Sequence, residues 1–353
     1  MPDGANWTVS TLATGPVRLN RGDALALYPE WPRPICIISD GPYGLGKFPG
    51  EAPTPENLAT WYAPHIEQWT RYASAETTLW FWNSELGWAT VHPVLQQSGW
   101  QYEECCVWDK GISHVAGNCN SRTIRGIPVV TEVAVRYTRV AKLPDAEGSL
   151  LPLKDWVRAE WLRSGLPMRL ANEACGVANA ATRKYLTTCW RWYFPPPEAL
   201  VRMAAYCERH GRPTNRPYFS LDGRNHPSAP EWEHMRSKWN HTHGVTNVWK
   251  ELPVHGNERV RAGGRNGYLH ANQKPLSLMS RQILSCTDPG DVVWEPFGGL
   301  CSATTAAVRL GRRSCAAEIN PEFFEAAAKR IERELVLSET GQRAYTQKDR
   351  EAA

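Results

Sequence analysis

The residues best suited to chemistry lie where Ile35-Cys36-Ile37-Ile38-Ser39 runs into Asp40-Gly41-Pro42-Tyr43. Strand-forming apolar residues ahead of an acid, a Gly-Pro turn and an aromatic predict a buried strand that presents Asp40 and Tyr43 at its carboxyl end. In open α/β sheets that edge is where ligands bind. A carboxylate and the Gly41 carbonyl can accept the two hydrogens of an amine on a planar ring, while Tyr43 stacks on the ring face.

A second set comes near the other end of the chain. His270-Ala271-Asn272-Gln273-Lys274-Pro275 precedes a helix expected over 276–286. A strand over 292–294 then delivers Glu295-Pro296-Phe297-Gly298-Gly299, and Leu300-Cys301-Ser302-Ala303-Thr304 opens a helix. Strand, glycine turn and helix N-terminus together let backbone approach a ligand closely. A further strand over 314–317 ends in Glu318, placed to accept both hydroxyls of a ribose, with Asn320 close behind.

Asp40-Gly41-Pro42-Tyr43 resembles the Asp-Pro-Pro-Tyr motif of S-adenosylmethionine-dependent DNA amino-methyltransferases, and the second set resembles that family's cofactor motifs. The resemblance spans about two thirds of the chain. Catalytic motif first, presumed recognition region between and cofactor motif last is the order of the β class. The resemblance implies an α/β fold: a Rossmann-like, mixed seven-stranded sheet with helices on both faces and a smaller, mainly helical target-recognition insertion. It implies S-adenosyl-L-methionine as cofactor and double-stranded DNA as partner, with the target base flipped out of the stack. Members are often homodimers, and several work beside a cognate restriction endonuclease in restriction-modification systems. Carried over residue by residue, the catalytic positions are Asp40, Gly41, Pro42 and Tyr43. The cofactor positions are Asp23, His270, Gln273, Lys274, Pro275, Glu295, Pro296, Phe297, Gly298, Gly299, Ser302, Thr304, Glu318 and Asn320. Asp23 also reads as an ordinary helix cap.

This chain departs from the family at Gly41 (usually Pro), Glu295 (Asp), Leu300 (Ser) and Cys301 (Gly). Gly41 is expected to free the backbone and weaken preorganisation, and the other three to loosen the glycine turn. In the family, motifs that begin with Asp go mostly with adenine, so N6-adenine is the expected target and N4-cytosine the alternative. A third reading, favoured by the changes at 295, 300 and 301, is a non-catalytic helix-turn-helix DNA-binding regulator on a methyltransferase scaffold.

The elements that must position these groups follow from periodicity. Strands are expected over 17–20, 35–38, 77–82, 102–110, 129–135, 292–294 and 314–317, and helices over 56–73, 92–98, 197–210, 276–286 and 321–335. Residues 1–16 show no clear period. Arg122 and Glu132 resemble a family pair beside the target-base pocket, or form a surface ion pair. A linker near 144–153 separates a catalytic half (1–143) from a recognition region (144–250), and the cofactor half follows (251–353). From Arg158 to Arg216, ten Arg and Lys stand against four Asp and Glu, which marks the candidate phosphate-facing surface. Residues 166–186 read as a helix-turn-helix, with Arg169, Asn179, Thr182, Arg183 and Lys184 as DNA contacts.

With 353 residues, 42% hydrophobic, the chain can bury a large core, and its net charge of +4 does not choose a partner. The ten cysteines include no Cys-x-x-Cys pair and read as reduced thiols. His226, His234, His241 and His243 match no zinc spacing, so no metal is expected. No apolar run is long enough to span a membrane and no signal pattern opens the chain, so a cytoplasmic protein is expected.

Overall fold

Gly15, at φ +53°, and Pro16 turn the chain between β1 (Thr11–Thr14) and β2 (Val17–Arg21), a two-residue hairpin that opens the computed structural model. The structure describes residues 11–46, 52–114, 126–178, 180–262 and 267–339. Two compact units make up the chain: Met1–Arg139 with Lys238–Ala353, and Val140–Ser237.

In the first unit, Asp23 caps α1 (Ala24–Leu27), and β3 (Cys36–Ser39) follows. Next come α2 (Leu58–Tyr72), β4 (Thr78–Asn83), α3 (Glu85–Gln97), β5 (Trp100–Asp109) and β6 (Thr131–Arg139). In the second unit lie β7 (Lys142–Pro144), β8 (Leu150–Pro152), α4 (Leu153–Arg163), α5 (Ala171–Ala174), α6 (Pro197–His210) and α7 (Ala229–Glu233). The first unit resumes with β9 (Val248–Lys250), α8 (Leu276–Cys286), β10 (Val292–Glu295), α9 (Ser302–Arg309), β11 (Arg313–Glu318) and α10 (Pro321–Glu339).

Among the described residues the first unit carries one nine-stranded mixed sheet in the order β1-β2-β11-β10-β3-β4-β6-β5-β9. Strands β2, β11, β10, β3 and β4 run parallel, and β6 lies antiparallel between β4 and β5. Alternation along β3 shows why its residues are apolar without a break. Ile37 packs with Leu58, Ile66 and Trp69 of α2 and Val91 of α3, whereas Cys36 and Ile38 pack with Met279 and Ile283 of α8 and Ala303 and Ala306 of α9. Both faces are therefore covered by helices.

The expected seven strands become nine. The additions, β1 and β9, are edge strands of four and three residues, with Thr11, Ala13 and Thr14 of β1 and Val248 and Lys250 of β9 exposed. Segments that short and open carry too little alternation to register in a sequence. Helix α3 starts seven residues before its expected onset because Ser84 caps it, accepting from the Gly87 N–H, and the helix tolerates Pro93 inside.

The second unit has its own core around Trp156, Trp161, Met203, Phe219 and Trp232. Among the described residues it contains no helix-turn-helix at 166–186. Gly176 takes φ +65° and stops the chain after the single turn of α5, and 182–186 form a 3-10 helix. Thr182 is buried with its hydroxyl on Asn172, so it does not face outward. Arg169 and Arg183 are exposed, and Lys184 sits over the Tyr193 ring at 4.6 Å. Arg122 and Asn179 lie outside the described residues.

Candidate active site

Strand β3 ends by delivering Asp40, and a tight hydrogen-bond set fixes the turn behind it. The Pro42 carbonyl accepts from the Tyr62 hydroxyl of α2 at 3.1 Å and from the Asn83 amide at the end of β4 at 2.9 Å. Among the described residues no donor reaches the Gly41 carbonyl. Gly41 itself has no room for a side chain, since an added Cβ would lie 2.5 Å from the Tyr62 hydroxyl and 2.6 Å from the Phe297 ring. Phe297 therefore packs where a proline ring would begin.

Asp40 belongs to a charged cluster. Lys274 reaches both its oxygens, at 2.7 and 2.9 Å, and lies 3.1 Å from Glu132 of β6. The Tyr43 hydroxyl lies 3.0 Å from both Asp40 Oδ1 and Glu132 Oε2, between which its one proton is shared. Lys110, just past β5, pairs with the other Glu132 oxygen. Burial would push Glu132 up, but Lys274 and then Lys110 hold it down at about 2. The Tyr43 phenol is driven well above its ordinary range by burial and by the two carboxylates.

The glycine turn between β10 and α9 abuts this cluster. Gly298 donates its N–H to Ala317 O at 2.7 Å, and an added Cβ there would meet Cys301 Sγ at 2.8 Å; Gly299 takes φ +53°. Cys301, in place of the family's glycine, holds the left-handed conformation at φ 53° and is fully buried against Val17, Leu19 and Phe324. A left-handed non-glycine residue costs about 1–2 kcal/mol. Glu295 caps α9, accepting from the N–H groups of Ala303 and Thr304 at 2.9 and 2.7 Å. At the end of β11, Glu318 accepts from Gly299 N–H at 2.6 Å and Asn320 N–H at 2.7 Å. Burial raises both acids to about 7.

Asp40, Tyr43, Lys274, the glycine turn, Glu295 and Glu318 line one cavity of about 880 Å³. The structure brings together Asp23, Asp40, Gly41, Pro42, Tyr43, His270, Gln273, Lys274, Glu295, Pro296, Phe297, Gly298, Gly299, Ser302, Glu318 and Asn320. Backbone free of side chains, a carboxylate at a strand end and an apolar rim from Leu25, Ile319 and Phe323 fit a nucleoside-bearing cofactor.

The family described as DNA methylase matches residues 35–329 of the chain. The chain belongs to the DNA methylase family.

Curated relatives match parts of this methylase. It is 32% identical to the DNA adenine methyltransferase YhdJ of Escherichia coli over 112 residues, 32% of this chain and 33% of that protein. It is 29% identical to the Type II methyltransferase M2.MboI of Moraxella bovis over 143 residues, 40% of this chain and 47% of that protein. The matched stretches thus span a third to a half of those relatives' own length. Among solved structures, PvuII DNA methyltransferase (cytosine-N4-specific) superposes with a TM-score of 0.50 at 12% identity, covering 93% of this chain and 94% of that one, a likeness of fold.

Not every expected position faces the methylase cavity. Pro275 caps α8 and Thr304 is buried, bonded to Glu295 and Ser314. Neither lines the wall. Gln273 lines it, but its amide is committed to Val260 N–H and Glu258 O, which staples the loop ahead of α8. Lys274 lines the wall and extends to Asp40. Sequence reasoning missed Trp61 and His65 of α2, which face the cavity and stack on each other at 4.9 Å. Their i, i+4 spacing marked a buried face, which reads the same whether it meets core or cavity. Burial keeps His65 neutral, lowered to about 4.

Proposed function

We propose that this methylase transfers a methyl group from S-adenosyl-L-methionine to the exocyclic N6 amine of an adenine flipped out of duplex DNA. The observation that carries the reading is the shared cavity, in which Asp40 and the bare Gly41 carbonyl stand beside the Phe297-Gly298-Gly299 turn. Bound there, S-adenosyl-L-methionine supplies an electrophilic methyl group on a sulfonium. The Gly298-Gly299 backbone and Glu318 would hold it, with Asp23, His270 and Asn320 at the rim of the same wall.

The acceptors left open on Asp40 and Gly41 support this place for the amine. A carboxylate offers about four lone-pair sites. Lys274 reaches both oxygens, and the single proton of the Tyr43 hydroxyl is shared between Oδ1 and Glu132. One site on Oδ2 and the Gly41 carbonyl stay open, two acceptors for two amine hydrogens. Accepting both draws the nitrogen toward a tetrahedral form and frees the lone pair that conjugation with the ring otherwise holds. Lys274, pinned by two carboxylates, keeps Asp40 in one orientation as the base arrives.

Exposed Arg169, Arg183 and half-buried Lys184 in the second unit serve as phosphate contacts, which position the duplex without reading sequence. The two acceptors suit adenine and cytosine amines alike. The motif's initial Asp and the adenine methyltransferase among the relatives support N6-adenine. The test is to map modified bases in DNA from cells that express the protein. N6-methyladenine at a defined sequence supports the reading, N4-methylcytosine replaces the target base, and unmodified DNA refutes it.

A further inference from the structure

A second cavity, of about 560 Å³, opens between α10 and the loop at 257–261. Exposed Arg261, Lys329 and Arg333 line it, with Arg259, Arg309 and Arg330 set deeper. Two carboxylates share the wall and both are engaged. Glu334 holds Arg309 in a two-bond pair at 2.7 and 2.9 Å, and Glu258 accepts from Leu276 N–H at 2.8 Å. Arg261, Lys329 and Arg333 have no carboxylate partner among the described residues.

Lys329 and Arg333 stand at i and i+4 on α10, where like charges oppose the helix, and Arg330 falls on the same face. Arg259 is 9% exposed, and its Nε and the Arg330 Nη2 are buried without a partner among the described residues. Burial pulls both guanidiniums below their usual range. Six Arg and Lys side chains thus line the hollow against two carboxylates, Glu258 and Glu334.

We propose that this cavity binds phosphate oxyanions, with Arg261, Lys329 and Arg333 as direct contacts and Arg259 and Arg330 supplying positive potential from behind. Phosphate reaches such a site either as the backbone of a duplex or as a free polyphosphate. The site goes beyond methyl transfer and touches it at one point. Arg330 Nη1 donates to Leu300 O at 2.9 Å and to Ser302 Oγ at 3.2 Å, both in the turn that lines the first cavity.

The experiment uses the full chain, its Lys329→Gln/Arg333→Gln double variant and a separate Arg261→Gln variant. Sodium pyrophosphate is titrated by calorimetry, and duplex DNA binding is followed by anisotropy across a salt series. For a free-polyphosphate site, pyrophosphate binding weakens at least about tenfold in the double variant and duplex binding does not change. For a duplex-backbone site, the double variant weakens binding to all sequences alike and makes the salt slope shallower by about 2. Arg261→Gln, on a loop, reads the same effects singly should the helix variant fail to fold. Variants that match the parent in both titrations overturn the proposal.

Discussion

At Gly41, where the family usually carries proline, the turn is packed too tightly to admit a side chain. The Phe297 ring and Tyr62 hydroxyl fill the volume that a Cβ would need. Gly41→Pro, although it restores the usual motif, is therefore expected to destabilise the protein by about 1–3 kcal/mol in urea unfolding. Pairing it with Phe297→Leu should recover part of that loss; a more stable Gly41→Pro single variant would contradict the packing. The two raised acids give a pH prediction. Glu295 and Glu318 ordinarily titrate near 4.5 but are held at about 7, so between those values the folded chain binds more protons than the unfolded one. Their contribution to stability is full below about pH 4.5 and is lost as pH rises through 7. On the proposed ribose contact, cofactor affinity should move the other way, because only an ionised Glu318 can accept from both hydroxyls. Titration of S-adenosyl-L-methionine from pH 6 to 8 should show tightening binding, and Glu318→Gln should flatten that profile. A flat profile in the parent would remove Glu318 from the ribose.

At the scale of elements, Lys274 ties the loop before α8 to the ends of β3 and β6 through Asp40 and Glu132. It is 3% exposed at its side chain, so Lys274→Met leaves two carboxylates facing each other in a half-dry site and should cost about 3 kcal/mol. Adding Glu132→Gln should return some of it, which thermal or urea unfolding would register; an unchanged midpoint for Lys274→Met would sink the linkage. This scale also shows what a sequence can and cannot disclose. The uninterrupted apolar run into Asp40 and the spacing from the glycine turn to Glu318 were legible because a doubly covered strand and a strand-turn-helix unit impose them locally. Lys274 on Asp40 was not, because the contact joins residues 234 positions apart and the residue types alone suit either partner. The missing helix-turn-helix has a local cause: Gly176 and the inward-turned Thr182 hydroxyl break what composition suggested.

For the whole molecule, the account rests on a sheet order that sets β3 beside β10 and so brings the first and last parts of the chain to one edge. Motif order anticipated that meeting. The edge strands β1 and β9 add to the sheet without touching the cavity. Trp61 and His65 show the limit of pattern reading, since an amphipathic helix announces its buried face but not what that face encloses. The most direct measurement compares the parent with Asp40→Ala in two assays: calorimetric binding of S-adenosyl-L-methionine, and transfer of its labelled methyl group to duplex DNA. The account predicts that the parent binds and transfers, whereas the variant binds within a few-fold of the parent and transfers nothing. Undiminished transfer by Asp40→Ala, or a parent that does not bind the cofactor, would contradict it.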